Sequence, residues 1–493
     1  MLLHKLFSDL NISVPAGFEN DVIDHISYDS RIAAPGTLFV CINGSLTDGH
    51  KYAIDAYKRG CRAFLCEHEI DLPDDAAVML TDNTSTALPL VSTEFYGRPA
   101  EKLRIIGITG TKGKTTTALL IHDILNGAGI KTGYIGSAGV IFDGLRTSSL
   151  RTTPESTDLH LYFRKMLAAG VTTVVMEVSS QAIFRDRVYG IKFDTCVYTN
   201  LSPDHIGPYE HPDFDHYRDC KARLFSDFGC DFIVYNKDDA NAEYMLREAS
   251  ALAQSVSMVK DADYVGHSPE KWRGDGALGI DFSCNFGGID HRIRLRSPGG
   301  FSVYNALLAI AVCRHYGVSF GEIAASLAKS SPLGRFEVVD ALPYATFVID
   351  FAHNELSIRS ALSVLREYSP SRLIVLVGSV GGRTFSRRAP IGSAVSELAD
   401  LCILTADDPD YEDPMVIIED ILKGFGDSET PYVCIPDRRE AIEYAVSEAK
   451  PGDIVLLAGK GHENFQLLFG EHTPFSERSI VKEAAQKLLS SVR

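Results

Sequence analysis

The chain has no long apolar run: no stretch approaches the roughly 18 apolar residues that a membrane-spanning helix needs. Its opening residues contain too short an apolar run to predict a signal peptide. The ten cysteines include no CxxC pair, so their scatter favours a reducing cytosol over a disulfide framework. Basic residues are fewer than acidic ones, and the resulting net charge of −17 disfavours binding to nucleic acid or anionic membranes. We expect a cytoplasmic, monomeric protein.

The chain has 493 residues, of which 45% are apolar and 23% are charged, and this is the composition of an ordinary globular protein. At about 150 residues per domain, this length indicates roughly three domains. The segments YGRPA (96–100) and SPLGR (331–335) each precede a new strand pattern and mark the boundaries. The predicted domains are therefore 1–100, 101–333 and 334–493.

Short apolar runs that end in small or polar residues recur along the chain, as buried strands of parallel sheets do. They lie at 103–110, 171–180, 193–202, 231–236, 346–353, 372–379, 400–408 and 453–461. Helical patterns alternate with them, at 116–129, ending at Asn126-Gly127, and at 355–368, with Leu356, Ile358, Leu362 and Leu365 on one broad face. The alternation predicts an α/β fold with mostly parallel, doubly wound sheets. Residues 255–304 alternate polar and apolar, which predicts an antiparallel patch on the middle domain.

The segment GITGTKGKTTT, residues 107–117, follows a predicted strand and opens a predicted helix. Its glycines let backbone N–H groups approach phosphate oxygens, and the helix N-terminus adds a positive dipole. Lys114 would reach the terminal phosphates of a nucleotide, and Thr115 or Thr116 would offer a hydroxyl to Mg²⁺. The strict motif would begin one residue after Gly107, so the spacing departs from it by one. A plain tight turn is the alternative interpretation.

Three side chains near the middle of the chain are candidates for further chemistry. Glu177 ends a predicted buried strand, where a carboxylate must either bind a metal or pair with a lysine or arginine. His205 follows another strand, and is either a ligand beside the nucleotide or a structural histidine. Lys221 falls in an amphipathic helical pattern, where a solvated lysine is the ordinary interpretation.

Polar motifs also follow the strands of the C-terminal part. Asp350 and His353 suit a ribose or a base. Arg383 lies in a Gly-rich loop and suits a carboxylate or phosphate, whereas Arg387 and Arg388 have the pattern of a solvated pair.

An acidic loop, LTADDPDYEDP at 404–414, contains five carboxylates, and its prolines exclude a regular helix. It would either attract a cationic ligand group or remain a solvated loop. A second Gly-rich strand end, LAGKGHENFQ at 457–466, adds Lys460 and Glu463.

Together these segments resemble the Mur ligases, and within that family the members that add the third amino acid of the peptidoglycan stem. The matching motifs follow the family order over nearly the whole chain: DSR at 29–31, TGTKGKTT at 109–116, TTPES at 152–156, EVSSQA at 177–182, SPDHIG at 202–207, YRDCKARLF at 217–225, YNA at 304–306, GRFE at 334–337, DFAH at 350–353, DDPDYEDP at 407–414 and AGKGHE at 458–463.

The resemblance implies an N-terminal domain for a UDP-sugar, a central P-loop ATPase and a C-terminal Rossmann-like domain. It also implies an ATP- and Mg²⁺-dependent ligase acting in cell wall synthesis. In this reaction the D-glutamate carboxylate of UDP-N-acetylmuramoyl-L-alanyl-D-glutamate attacks ATP, and the resulting acyl phosphate is then attacked by the amine of a diamino acid. Such chemistry depends on positioning and cations more than on a nucleophilic side chain.

The resemblance also implies residue roles. Catalysis would involve Lys114, Glu177, His205 and Lys221. ATP would contact Thr109, Gly110, Thr111, Lys112, Gly113, Lys114, Thr115 and Thr116, with its adenosine at Asn305, Arg335, Asp350 and His353. Mg²⁺ would be bound by Thr115, Glu177, His205 and Lys221, the last as N6-carboxylysine. The UDP-linked substrate would contact Ser30, Thr152, Thr153, Ser179 and Arg187. The incoming amino acid would contact Arg383, Asp407, Asp408, Pro409, Asp410, Gly459 and Glu463.

Several positions depart from the common family pattern. Diaminopimelate-adding members carry Asp-Asn-Pro-Arg where this chain has Asp407 to Asp410. An aspartate in place of the arginine would repel a distal carboxylate, so L-lysine is the expected substrate, as in the streptococcal-type members. meso-Diaminopimelate and L-ornithine remain alternatives. So do a folylpolyglutamate synthase and a nucleotide-binding homologue without ligase activity, the latter because Gly382 and Thr384 replace common aspartates.

Overall fold

The structure is a computed structural model that describes residues 1–44, 47–149, 151–207, 210–274, 276–331 and 333–491. Every candidate site residue lies within these ranges, whereas Pro332, in the predicted boundary segment, lies outside them. The chain forms two compact units, one of residues 1–263 and 308–318 and the other of residues 264–307 and 319–493. Over the residues described, no helix has the length and apolar character needed to cross a membrane.

The N-terminal part of the first unit is a four-stranded parallel sheet with strand order β1-β2-β3-β4. Its elements are α1 (Leu3–Leu6), β1 (His25–Ser27), β2 (Thr37–Val40), α2 (Ala53–Lys58), β3 (Ala63–Cys66), β4 (Ala77–Leu80) and α3 (Thr84–Tyr96). Apolar side chains of the strands pack against α1 and α3, with Leu38, Val40 and Leu65 fully buried.

The rest of the first unit is a larger, mostly parallel sheet with strand order β12-β11-β10-β5-β9-β6-β7-β8. Its elements are β5 (Arg104–Thr109), α4 (Lys114–Gly127), β6 (Thr132–Gly136), β7 (Gly139–Phe142), β8 (Leu145–Thr147), α5 (Ser156–Ala168), β9 (Thr173–Glu177), α6 (Ser180–Phe184), β10 (Thr195–Tyr198), α7 (Phe214–Ser226), β11 (Phe232–Asn236), α8 (Ala242–Met245) and β12 (Leu252–Ser257). Strand β5 runs parallel to β10 on one side and to β9 on the other. The segments that follow these three strands therefore leave the same edge of the sheet, where ligands bind in open α/β folds.

The second unit contains an antiparallel meander and a six-stranded sheet of order β16-β17-β21-β18-β19-β20. In the six-stranded sheet β16 is antiparallel to its neighbour and the other pairs are parallel. The elements are β13 (Tyr264–Gly274), β14 (Ala277–Phe286), β15 (Ile289–Leu295), α9 (Gly300–His315, whose last residues group with the first unit), α10 (Phe320–Leu327), β16 (Glu337–Leu342), β17 (Ala345–Asp350), α11 (Glu355–Arg366), β18 (Leu373–Val377), α12 (Arg388–Leu398), β19 (Leu401–Leu404), α13 (Pro414–Leu422), β20 (Tyr432–Cys434), α14 (Arg438–Glu448), β21 (Ile454–Ala458), β22 (Phe465–Leu468), β23 (Glu471–Pro474) and α15 (Glu477–Ser491).

The predicted α/β class and its mostly parallel sheets are confirmed, and each of the eight predicted runs contains a strand. The strands are shorter than the runs, because the polar tails leave the sheet. The predicted antiparallel patch is confirmed as β13 to β15, although these strands group with the second unit. The domain boundaries at 100 and 333 stay predictions.

Both helix predictions need correction in detail. Helix α4 begins at Lys114, two residues earlier than predicted, whereas its end at Gly127 agrees with the predicted Asn126-Gly127 signal, and the left-handed glycine lies two residues further on at Gly129. In α11, Ile358, Leu362 and Leu365 are buried, but Leu356 is 74% exposed. Leu356 lies two residues before Ile358, which is about 200° around a helix, so it faces solvent.

Candidate active site

The loop between β5 and α4 is held in a conformation that requires glycine. Gly110 has φ +144°, and a Cβ built there would lie 1.9 Å from the Thr199 hydroxyl oxygen. The loop is also fixed from outside, because the Thr111 N–H donates to the Asn200 carbonyl at 2.8 Å. The helix N-terminus and its N–H groups are thus presented at the sheet edge, as a phosphate-binding loop requires.

Lys114 lies back across this loop, its ammonium donating to the carbonyl oxygens of Gly110 (2.9 Å) and Thr111 (3.0 Å). Lys112 is exposed, but its N–H donates to the Asn200 side chain at 3.0 Å. Thr109 ends β5 in the core, and Thr116 is half-buried in the first turn of α4. The predicted nucleotide-binding residues therefore form one continuous strand, loop and helix start.

Glu177 is fully buried at the end of β9 and accepts hydrogen bonds from four neutral donors, of which the Ser137 hydroxyl is the most distant at 3.4 Å. The Tyr134 hydroxyl donates to one carboxylate oxygen at 2.6 Å, and so does the Ser137 N–H at 2.9 Å. The Thr115 hydroxyl donates to the other oxygen at 3.1 Å. Two predicted Mg²⁺ ligands, Thr115 and Glu177, are thus in direct contact, and oxygens of this kind are the ones Mg²⁺ prefers.

Lys221 is only 2% exposed, so the solvated-lysine interpretation is wrong. Helix α7 directs it toward the phosphate loop, where its amine donates to the Gly110 carbonyl at 2.9 Å and lies 4.7 Å from the centre of the Tyr217 ring. Burial, reinforced by neighbouring Lys114, lowers the pKa of Lys221 well below the usual lysine value. The loop carbonyl of Gly110 is therefore shared by two lysines.

His205 lies in the turn after β10, with φ +54° and an exposed side chain. Its Nδ1 is 2.9 Å from a Glu210 carboxylate oxygen. The same segment contacts the phosphate loop, because Ser202 exchanges two hydrogen bonds with the Thr111 side chain, at 3.0 and 3.1 Å. The segment that contains His205 is therefore anchored to the loop. The His205 side chain itself is exposed and is not buried beside Glu177.

A cavity of about 480 Å³ opens in the first unit and contains two of the predicted UDP-substrate residues, Ser30 and Arg187. Sequence reasoning missed the other three arginines in its wall, Arg31, Arg151 and Arg185. Two carboxylates of the same wall, Asp29 and Glu155, pair with three of these arginines, which leaves a net positive lining that suits a phosphorylated ligand.

Thr152, Thr153 and Ser179 connect this cavity to Glu177. The Thr153 hydroxyl donates to the Glu177 carbonyl at 2.9 Å and accepts from the Ser179 N–H at 3.0 Å. The Thr152 hydroxyl is 2.9 Å from that of Ser137, which also contacts Glu177. The predicted substrate residues and the predicted metal ligands therefore belong to one hydrogen-bonded network.

In the second unit, Arg335 and His353 lie against the ring of Phe351, which directly follows Asp350 in the chain. The Arg335 guanidinium lies 4.9 Å from the centre of the Phe351 ring, and the His353 ring lies 4.8 Å from it. Asp350 accepts from the Phe336 and Ala352 N–H groups at 2.8 and 2.9 Å, and burial raises its pKa. The fourth predicted adenosine residue, Asn305, is buried on α9.

The acidic loop is neither fully solvated nor free to bind a cation. Asp407 and Asp408 are buried against the ammonium of Lys460, at 3.3 and 2.8 Å, and Glu463 completes the cluster at 3.0 Å from it. Asp410 differs, since it is half-buried and has φ +53°, and the partner of its carboxylate among the described residues is the Gly470 N–H at 2.7 Å. Among these predicted residues, Asp410 is the carboxylate that does not pair with Lys460.

Three other residues predicted to contact the incoming amino acid are Gly459, Pro409 and Arg383. Gly459 has φ +120°, and a Cβ there would come 2.7 Å from an Asp407 carboxylate oxygen, so the two strand ends approach closely. Pro409 packs against the other Gly-rich loop, where a Cβ on Gly381 would lie 2.0 Å from the Pro409 carbonyl oxygen. Arg383 is exposed in that loop.

Arg388 corrects the expectation of a solvated arginine pair. It is fully buried and forms ion pairs with Glu412 at 2.7 Å and Asp420 at 2.9 Å, whereas Arg387 is exposed. The sequence did not indicate a second buried arginine of this unit, Arg438. It pairs with Glu477 at 2.8 Å and donates to the Ala458 carbonyl, so it stabilises the strand end that precedes Gly459.

Comparison with known proteins gives consistent matches along the chain. Three family models match in order: "Mur ligase family, catalytic domain" at residues 22–94, "Mur ligase middle domain" at 108–313 and "Mur ligase, glutamate ligase domain" at 334–461. The UDP-N-acetylmuramoyl-L-alanyl-D-glutamate–2,6-diaminopimelate ligase of Geobacillus thermodenitrificans is 35% identical over 99% of this chain and 100% of its own length. The ligase of the same name from Clostridium perfringens is 34% identical over 98% and 99%.

Solved structures support the same fold. A structure of a UDP-N-acetylmuramoyl-L-alanyl-D-glutamate–2,6-diaminopimelate ligase superposes with a TM-score of 0.69 and 26% identity, covering 99% of this chain and 100% of that one. Crystal structure II of MurF from Acinetobacter baumannii has a TM-score of 0.66 at 18% identity, covering 98% of each chain, which shows the fold alone.

Fold and family matches together define an ATP-binding α/β ligase, in which Lys114 and the buried Lys221 share the Gly110 carbonyl and the buried Glu177 bonds to Thr115 of the same loop. The chain belongs to the Mur ligase family.

Proposed function

We propose that this protein is an ATP-dependent ligase that joins a diamino acid to the D-glutamate of UDP-N-acetylmuramoyl-L-alanyl-D-glutamate. The observation that carries the proposal is the meeting of Lys114 and Lys221 at the Gly110 carbonyl, with Thr115 of the same loop bonded to Glu177. The names of relatives that match over nearly the whole chain support the same reaction.

The residues present fit ATP and Mg²⁺. Loop residues 109–116 would hold the phosphates through backbone N–H groups and Lys114, and Thr115 and Glu177 would hold one Mg²⁺. His205 would serve the Mg²⁺ ions from the segment that is anchored to the loop. The bound cation neutralises charge on the phosphates. The substrate carboxylate then displaces ADP from the γ-phosphate, the amine attacks the acyl phosphate, and inorganic phosphate leaves. The protein's part is to position these groups in a site with fixed dipoles.

Lys221 fits the proposed N6-carboxylation. An amine reacts with carbon dioxide only when it is neutral, and burial beside Lys114 favours the neutral form. Reaction forms a bond from Nζ to the carbon of CO₂, releases one proton and leaves a carbamate anion. That change turns a buried amine into an oxygen ligand for a second Mg²⁺.

Two diamino acids remain candidates for the amine substrate, each favoured by one observation. The names of the relatives favour meso-diaminopimelate. The aspartate at position 410 favours L-lysine, because a carboxylate that does not pair with Lys460 would attract a distal ammonium and repel a distal carboxylate.

The test is phosphate release by the purified protein with ATP, Mg²⁺, the UDP-linked dipeptide and a panel of amino acids. We expect release only when all components are present, with either meso-diaminopimelate or L-lysine as the best amine. Equal release without the UDP-linked dipeptide would contradict the proposal. L-Ornithine and L-glutamate complete the panel, the second as a control for a folylpolyglutamate synthase type of reaction.

A further inference from the structure

Three groups of metal-ligating side chains come together in the part of the chain that the structure describes. In the first, the carboxylates of Asp407, Asp408 and Glu463 surround the ammonium of Lys460 at 2.8 to 3.3 Å. The lysine takes the place that a cation would occupy. This group therefore needs no ion to balance its charge.

The second group consists of Cys41, His50 and Cys66 near the ends of β2 and β3. Both ring nitrogens of His50 are already engaged. Nδ1 is 2.6 Å from an Asp48 carboxylate oxygen, and Nε2 accepts the Glu67 N–H at 2.9 Å. A metal would have to displace a backbone hydrogen bond to reach this histidine.

The third group, His211, His216 and Cys220, has its ligand atoms turned toward one another. The Nδ1 atoms of the two histidines are 2.8 Å apart, and the Cys220 Sγ is 3.7 Å from His216 Nδ1. His211 and Cys220 are buried. The remaining ring nitrogen of His211, Nε2, is 2.9 Å from the Ser180 hydroxyl oxygen.

These contacts place two nitrogens and one sulfur close to the arrangement of a tetrahedral metal site. With Zn–N near 2.05 Å and Zn–S near 2.3 Å, such a site has N···N of about 3.3 Å and N···S of about 3.6 Å. His216 and Cys220 are four residues apart on α7, so they project from the same face of one helix. A small outward rotation of the His211 ring would open the group to an ion.

We propose that His211 Nδ1, His216 Nδ1 and Cys220 Sγ bind one Zn²⁺ or a similar borderline-soft divalent cation. Binding releases the thiol proton, and the imidazole that donates between the two Nδ1 atoms moves its proton to its own Nε2, so that both Nδ1 lone pairs face the ion. Ser180 then accepts the N–H of His211 and fixes the ring orientation, as partners of metal-bound histidines commonly do. Nitrogen and sulfur ligands exclude Mg²⁺, so this site is chemically distinct from the oxygen-rich one at Glu177.

A bound ion would link Ser180 on α6 to His216 and Cys220 on α7. Lys221 follows Cys220 directly, so the ion would also fix the helix turn that directs this lysine to the phosphate loop. Zn²⁺ is therefore expected to raise the melting temperature, because it binds the folded state and not the separated ligands.

The proposal is tested with full-length protein titrated with Co²⁺ and Zn²⁺. Wild-type protein should bind one equivalent, and Co²⁺ should give a thiolate-to-cobalt absorption band. Cys220→Ser should lose the band and weaken Zn²⁺ binding by about 100-fold or more, since even outer partners are worth roughly 10- to 100-fold. Cys66→Ser is the matched control, because it alters the second group and should keep the band.

His216→Asn provides a second variant, should Cys220→Ser fail to fold, and it should lose the Zn²⁺-induced rise in melting temperature. Absence of a thiolate band in the wild type would overturn the proposal and leave a hydrogen-bonded His-His-Cys chain. Loss of the band in Cys66→Ser but not in Cys220→Ser would overturn it in favour of the second group.

Discussion

Lys221 is the residue on which the proposed carboxylation depends. Its amine is buried, its pKa is lowered by burial and by Lys114, and its hydrogen bond runs to the phosphate loop. A lysine in this state is a better reactant for carbon dioxide than an exposed one, because its neutral form is favoured.

We predict that protein equilibrated with ¹³C-bicarbonate shows a carbamate carbon resonance that Lys221→Ala lacks. Ligase activity of this variant should fall by about 100-fold or more, the scale of losing one preorganised charged group. Lys192→Ala, which removes an exposed lysine paired with Asp231, should keep both the resonance and the activity. Retention of full activity in Lys221→Ala would contradict the carboxylated-lysine proposal.

Tyr134 is a positioning residue for Glu177, because its hydroxyl donates to the carboxylate at 2.6 Å. Loss of a hydrogen bond to a buried charged group costs about 1.5–3 kcal/mol. We predict that Tyr134→Phe requires about 10-fold more Mg²⁺ for half-maximal activity. Tyr198→Phe removes a similar 2.6 Å bond, to Asp239, and should leave the Mg²⁺ requirement unchanged. Equal Mg²⁺ curves for the two variants would show that Tyr134 has only a structural role.

Asp410 is the residue at which the choice of amine is tested. We predict that Asp410→Arg shifts the kcat/KM ratio of meso-diaminopimelate to L-lysine upward by about 10-fold, which corresponds to about 1.4 kcal/mol. The reason is that a guanidinium attracts the distal carboxylate that an aspartate repels. Glu429→Arg makes the same charge change at an exposed position of the same unit and should not alter the ratio. An unchanged ratio in Asp410→Arg would show that the distal group of the amine substrate does not bind beside residue 410.

At the scale of a structural element, the loop between β5 and α4 has a backbone conformation that leaves no room for a side chain at Gly110. Gly110 has φ +144° and no room for a methyl group beside Thr199, whereas Gly129 at the other end of α4 has φ +82° and open space around its Cβ position. The backbone at both positions is strained for alanine, but an added methyl group would clash at Gly110 and not at Gly129.

We predict that Gly110→Ala abolishes measurable ATP binding in calorimetry. Gly129→Ala should bind ATP normally and lose only about 1 kcal/mol of stability in thermal unfolding. ATP binding by Gly110→Ala with wild-type affinity would show that the loop tolerates displacement and is not the phosphate site.

At the scale of the whole molecule, the strands were predictable because continuous apolar runs of the right length have few alternatives in a buried parallel sheet. The ends of helices were less predictable. Helix α4 already includes Lys114 and Thr115, two residues before the predicted start. Leu356 is apolar, but its position on α11 makes its side chain face solvent.

The candidate site was predictable where its residues fall in local motifs, and not where long-range contacts decide the environment. Tyr134 meets Glu177 across 43 residues of sequence, and nothing in its own segment indicates this contact. Arg388 looked solvated beside Arg387, but its partners Glu412 and Asp420 come from other segments of the fold. Burial of Lys221 likewise depends on the loop it faces, because an amphipathic pattern does not determine which polar residues become buried.

A ligase of the proposed kind forms an amide between a diamino acid and the UDP-linked dipeptide. Mass spectrometry of a reaction with ATP, Mg²⁺, UDP-N-acetylmuramoyl-L-alanyl-D-glutamate and equal amounts of L-lysine and meso-diaminopimelate tests it most directly. We predict a UDP-linked tripeptide carrying one of the two amines, formed with one equivalent of ADP. Wild-type protein that binds ATP but forms neither tripeptide would contradict the account.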